Sequence, residues 1–163
     1  MVVYETNNRE TYILAFNTAD ALAWGKKDGC CEPIFKIKGP KDHGINCAKW
    51  GPLDQSVYYC TDKGRLLRYD IEDESVIKAG DVHRKEIFTM TFSRDFTMLF
   101  TCSRDGTCKL LNKDTFEEVR SYQFTFPCRN AAVSPLFEAD ENQKFHVFLC
   151  GGQDAKDVTT TGA

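Results

Sequence analysis

The chain of 163 residues lacks most of the features that tie a protein to a compartment or a chemistry. No apolar run approaches the roughly 20 residues of a membrane-spanning helix, and Met1–Glu5 has neither the basic start nor the apolar core of a secretory signal. An excess of one charge is missing too. A net charge of -3 gives no general attraction to nucleic acid or to an anionic membrane. The eight cysteines contain no C-x-x-C pair with a nearby histidine. Cys30 and Cys31 are adjacent and Cys47, Cys60, Cys102, Cys108, Cys128 and Cys150 are scattered, which argues against a zinc site. They read as reduced packing thiols in a reducing compartment, and the cytoplasm fits.

Catalytic signatures are absent as well. There is no nucleophile elbow, and His43, His83 and His146 belong to no Cys-His pattern. Gly151-Gly152 opens no G-x-x-x-x-G-K-S/T loop and no helix pattern follows it, so the pair reads as conformational. His43 and His83 stand at what reads as one repeated position, which assigns them to architecture. The residues therefore give no catalytic group, metal or cofactor. No helix signal of any length is audible.

What is present is a repeat. Ile45–Asp70 lies over Ile87–Asn112 without a gap at an offset of 42 residues, with Trp50 on Phe92, Cys60 on Cys102, Gly64 on Gly106 and Asp70 on Asn112. That offset is inside the roughly 40–45 residues of one four-stranded propeller blade. Short alternating or β-branched runs separated by polar, Gly-containing turns place strands near 45–50, 56–61, 64–70 and 75–80, then near 87–93, 97–102, 106–112 and 116–123. Before them, Val2–Glu5, Tyr12–Phe16 and 33–38 read as the last three strands of another blade, with a loop over Trp24–Glu32. After them, Cys128–Ser134 and Phe145–Cys150 read as strands, Glu138–Gln143 as an acidic loop, and Asp157–Thr161 as the start of a third strand.

The fold predicted is all-β, an arc of blades divided as 1–38 (partial), 39–82, 83–125 and 126–163 (partial). Propellers close with about four to eight blades. An arc short of that leaves apolar faces bare at both ends. Either the chain is part of a longer ring or copies cover each other's ends, and the chain alone is expected to self-associate.

These residues resemble the WD-repeat family, whose signature is a His before the first strand, a Ser or Thr in the second, an Asp in the next turn and Trp-Asp ending the third. The later repeat offers His83, Thr101 and Asp105, with Leu111-Asn112 in place of Trp-Asp; the earlier one offers His43 and Tyr69-Asp70, with Tyr59 and Lys63 where Thr101 and Asp105 stand. The resemblance implies that His83, Thr101 and Asp105 form a buried hydrogen-bond chain. More narrowly, HGINCAKWGPLDQSVYYCTDKGRLLRYD, FSRDFTMLFTCSRDGTCKLL and GGQDAKDVTTT are similar to the WD-repeat i subunit of eukaryotic translation initiation factor three. Members are seven-bladed, so the chain resembles their middle half, departing from them at 137–144.

That resemblance implies a non-catalytic scaffold without cofactors. Its partners would be a basic, C-terminal helical segment of the large b subunit and the small g subunit, in the complex that brings the small ribosomal subunit to mRNA. Asp95 falls on one acidic position implicated in holding that segment. Asn112 falls on the other and lacks the charge; Asp114 stands two residues on. Read alone, Asp95 is also a plausible turn aspartate bonding its own backbone. Lys63, Arg65 and Arg68 lie near Tyr58, Tyr59 and Tyr69, but interleaved acids favour a solvated face over a direct RNA site. The alternative function is a WD-repeat adaptor of another cytoplasmic complex, in signalling or trafficking.

Overall fold

The computed structural model describes residues 2–5, 10–23, 32–134 and 147–151. It is built of antiparallel sheets in chain order. Strands β1 (Val2–Glu5), β2 (Thr11–Ala15) and β3 (Phe35–Lys38) form the first; β4 (Ile45–Trp50), β5 (Ser56–Thr61), β6 (Arg65–Asp70) and β7 (Ser75–Asp81) the second. The third holds β8 (Ile87–Phe92), β9 (Met98–Ser103), β10 (Thr107–Asn112) and β11 (Glu118–Gln123), and β12 (Cys128–Val133) pairs with β13 (Val147–Gly151) in the fourth. The strands expected from the repeat stand within one or two residues of their predicted limits. The loops expected over 24–32 and 138–143, and the strand over 157–161, fall wholly or almost wholly outside the described residues.

The repeat extends to the irregularities. A register shift falls between Ile45 and Cys47 where β4 pairs β5, between Ile87 and Thr89 where β8 pairs β9, and between Cys128 and Asn130 where β12 pairs β13. A second falls at Arg68/Tyr69 and again at Leu110/Leu111, 42 residues on. Bulges recurring at the period are part of the plan, adding twist where the sheets must splay.

Three apolar seams join the sheets. Ile13, Ile37, Ile45, Val57, Tyr59 and Leu67 fill the first. Tyr58, Cys60, Leu66, Ile87, Met90, Leu99, Leu111 and Phe116 fill the second, and Phe100, Cys102, Cys108, Leu110 and Cys128 the third. Strand β5 therefore has both faces covered, Val57 and Tyr59 on one side and Tyr58 and Cys60 on the other, and is buried along its whole length. Strands β7 and β11 are the outer strands and mostly exposed.

Among the described residues, helix is confined to short pieces. Contrary to the expectation of none, Thr18–Ala23 forms one helix, α1, and Pro52–Asp54 a single 3-10 turn. Asn17 caps α1 by accepting from the Ala19 N–H at 2.8 Å. Six residues are less than two turns, too few to write a helical period into the sequence. No helix among the described residues is long and apolar enough to cross a membrane.

A buried hydrogen-bond chain and an acidic end on the third sheet

The turn from β9 to β10 passes through Gly106 at φ 83°, a left-handed conformation that costs glycine nothing. A Cβ there would also stand 2.6 Å from the Phe124 carbonyl oxygen. Residue 106 must be glycine for the connection into β12 to lie across this turn, where the Phe124 N–H donates to the Gly106 carbonyl at 2.8 Å.

That turn presents Asp105 to the His83 ring. His83 Nδ1 lies 3.2 Å from Asp105 Oδ2 and 2.9 Å from Thr107 Oγ1, while Nε2 lies 2.8 Å from Thr101 Oγ1. Asp105 also accepts from the Arg84 N–H at 2.9 Å, the Thr107 N–H at 2.8 Å and the Thr107 hydroxyl at 2.5 Å. Burial would raise the Asp105 pKa, but the Thr107 hydroxyl, the two N–H groups and His83 outweigh it and hold the value at about 2. Burial lowers the His83 pKa against the upward pull of Asp105. The ring is thus neutral beside an ionised carboxylate. Since a carboxylate only accepts, Nδ1 carries the proton, and Nε2 accepts from the Thr101 hydroxyl.

The structure brings His83, Thr101 and Asp105 together and adds Thr107. A threonine two residues after a turn aspartate is a local signal of hydroxyl and N–H donation to that carboxylate, and this one could have been read. The second sheet keeps only part of the arrangement. Asp62 Oδ1 accepts from the Gly44 N–H at 3.0 Å, as Asp105 does from Arg84, while His43 reaches Thr61 Oγ1 at 3.4 Å. His43 and His83 each stand one residue before the N–H that a turn aspartate accepts, but their ring partners differ. Tyr59, which replaces the threonine, points into the first seam.

The titrations give a pH dependence. Both groups have a lower pKa folded than their ordinary values of 6.5 and 3.8. His83's contribution is complete above about pH 6.5 and is lost as pH falls through its folded pKa; Asp105's is complete above about 3.8 and lost through about 2. Urea midpoints should be flat above pH 7 and fall below 6.5, with His83→Asn flattening the first part of that fall. A midpoint that rises between pH 7 and 5 would contradict the arrangement.

Asp95, Asn112 and Asp114 occupy the opposite end of the same sheet, on the β8–β9 and β10–β11 turns. The Lys113 N–H donates to the Thr97 carbonyl at 3.2 Å and ties the two turns together. Asp95 is exposed, and its Oδ1 accepts from the Ser93 hydroxyl at 2.7 Å and the Thr97 N–H at 2.9 Å. Asn112 Oδ1 accepts from the N–H groups of Asp114 and Thr115 at 2.9 and 3.1 Å. Asp70 makes the same turn in the second sheet with Glu72 and Asp73. A carbonyl oxygen serves this turn as well as a carboxylate, so asparagine costs the turn nothing.

Asp114 is held by cations. Its Oδ1 lies 2.8 Å from Arg68 Nη1 on β6 and 2.6 Å from Lys113 Nζ, and Lys113, then Arg68, lower its pKa despite some desolvation. This ion pair bridges two sheets. Arg68 also lies over the Tyr58 ring, 5.6 Å from its centroid, which places it in the second seam's wall. Beyond these residues, the turns at this end of the second and third sheets carry Asp54, Glu72, Asp73, Glu74 and Glu117 against Arg94. Leu53, 86% exposed, stands among them. Among the described residues, no three His, Cys, Asp or Glu side chains gather as metal ligands.

Comparison with known proteins agrees with this architecture. Residues 75–112 match the family model "WD domain, G-beta repeat", a window from β7 through β10 that runs from one sheet's outer strand into the next sheet. The β-propeller domain of Cps50 (Swd1) from Myceliophteria thermophila superposes with a TM-score of 0.55 at 18% identity, over 60% of this chain and 31% of that one. The RRP9 WD40 repeats superpose with a TM-score of 0.54 at 12% identity, over 58% and 30%. Eukaryotic translation initiation factor 3 subunit I of Drosophila grimshawi is 32% identical over 155 residues, 94% of this chain and 44% of its own length. The Homo sapiens subunit I is 36% identical over 130 residues, 80% of this chain and 38% of its own. The chain spans less than half the length of these relatives. By its sheets, its repeat and its relatives, the chain has a partial WD-repeat β-propeller fold and is homologous to part of eukaryotic translation initiation factor 3 subunit I.

Proposed function

We propose that the chain is a non-catalytic, cytoplasmic scaffold segment of the translation initiation factor 3 complex, its four sheets being successive blades of one ring divided at 38/39, 82/83 and 125/126. Homology supports the complex. The observation that carries the contact is the acidic end of the second and third sheets, whose turns carry exposed carboxylates and an exposed leucine. This end suits a basic, amphipathic helical segment such as the C-terminal segment of the large b subunit, with the small g subunit alongside and the small ribosomal subunit reached through the complex. Opposed charge there speeds encounter and sets orientation. Of the three positions, Asp95 supplies the exposed charge, Asn112 shapes the turn, and Asp114 is largely neutralised by Arg68 and Lys113.

Asp95 also holds its own turn through Ser93 and Thr97, so Asp95→Lys would disturb local structure as well as charge. Asp95→Asn keeps an oxygen acceptor and removes the charge. Its affinity for a synthetic basic b-subunit segment is expected to fall roughly three- to tenfold at low salt, and the difference to shrink as salt rises, because rim charges are screened over about 10 Å. Equal affinities at low salt would remove Asp95 from the site. Pull-down of a different cytoplasmic assembly, without initiation factor subunits, would favour the adaptor reading instead.

A further inference from the structure

The third seam contains a feature that the scaffold function does not use. Cys102 on β9 and Cys108 on β10 are directly opposed in the antiparallel register, and their sulfur atoms are 3.4 Å apart. Both side chains are fully buried, and Cys128 on β12 lies in the same cluster from the neighbouring sheet. Opposed residues in an antiparallel pair have Cα atoms about 4.5–5.5 Å apart, inside the roughly 4.4–6.8 Å that a disulfide spans. From 3.4 Å, the sulfurs need to approach by about 1.4 Å to bond.

We propose that Cys102 and Cys108 form an oxidation site, a buried dithiol that closes to a cross-strand disulfide when the protein meets hydrogen peroxide. One sulfur, as thiolate, attacks a peroxide oxygen. The O–O bond breaks, a sulfenic acid forms, and the departing hydroxide takes a proton to become water. The second thiol then attacks the sulfenic sulfur, the S–S bond forms, and the hydroxyl leaves with the thiol proton as a second water. Two thiols are oxidised and one peroxide is reduced.

The other opposed pair shows why this one is singled out. Cys47 and Cys60 also face each other across β4 and β5, but the Cys60 thiol is directed at the carbonyl oxygens of Cys47 and Ile87, at 3.6 and 3.7 Å. Cys47 and Cys60 also share a side-chain hydrogen bond, and Cys108 also has Cys128 as a partner, but the 3.4 Å sulfur–sulfur contact of Cys102 and Cys108 joins two fully buried thiols, whereas Cys47 is only half-buried. Because both are fully buried, peroxide reaches them when the seam between the third and fourth sheets opens, so the reaction also reports on that opening.

The sequence makes the test direct. Trypsin cuts after Arg94, Arg104 and Lys109, leaving Cys102 in 95–104 and Cys108 in 105–109. The folded chain is treated with a small excess of hydrogen peroxide, blocked with iodoacetamide and digested without reductant. The expected result is a loss of about 2 Da, reversed by dithiothreitol, with those two peptides linked. Cys128→Ser should retain the link, and Cys102→Ser should abolish it. Oxygen added to separate peptides, a link from Cys108 to Cys128, or a link from Cys47 to Cys60 in its place would overturn the proposal. If Cys102→Ser fails to fold, the peptide map of the unsubstituted chain decides alone.

Discussion

Tyr58→Ala is expected to lose about 3–5 kcal/mol of folding stability, the range for truncating a large buried aromatic to alanine. Tyr58 is fully buried in the second seam. Its ring packs edge-on against Phe92 at 5.0 Å between centroids and Phe116 at 6.3 Å, with the Arg68 guanidinium over one face. Removing it opens a cavity shared by two sheets and strips the wall behind the Arg68–Asp114 pair. Tyr58→Phe should behave quite differently. The buried hydroxyl meets no partner in good hydrogen-bond geometry and has the Ser56 side chain as a weak one at best, so removing it should change stability by no more than about 1 kcal/mol. Urea unfolding of the two variants beside the parent chain measures both. A Phe variant as unstable as the Ala variant would mean that the hydroxyl, rather than ring packing, holds the seam.

The second large effect belongs to Asp105. Asp105→Ala is expected to cost about 2–3 kcal/mol, because three N–H and O–H donors and the protonated His83 Nδ1 lose their common acceptor at once. The Thr107 hydroxyl can still accept from Nδ1, which keeps the loss below that of a fully stranded buried charge. Asp105→Asn retains one oxygen acceptor and should lose about half as much. The alanine variant should also show a shallower fall in stability below pH 3.8, since the group with the depressed pKa is gone. A negligible change for Asp105→Ala would mean that the chain decayed together with the missing Trp-Asp, and that the Gly106 turn alone positions the β9–β10 connection.

Much of this architecture was legible in the amino-acid sequence, because its information is local and repeated. Alternation of period two, turn residues at regular intervals and the offset of 42 residues between Gly64 and Gly106 or Asp70 and Asn112 determine strands, turns and the blade unit without any knowledge of packing. The His83–Thr101–Asp105 set came from a family signature, and Thr107 was within reach of turn chemistry. Other features had no local signal. The six residues of α1 are too few to show a period, and the run SVYYCT in β5 has no alternation because both of its faces are covered. Only tertiary structure decided that Arg68 would neutralise Asp114, 46 residues away, that Tyr58 and Tyr59 would enter different seams, and that Cys102 and Cys108 would meet sulfur to sulfur. It also placed the hydrogen-bond chain and the acidic turns at opposite ends of one sheet. The physical reason is that side-chain period sets which residues share a strand face, whereas sheet stacking and twist set which faces and turns meet across a seam.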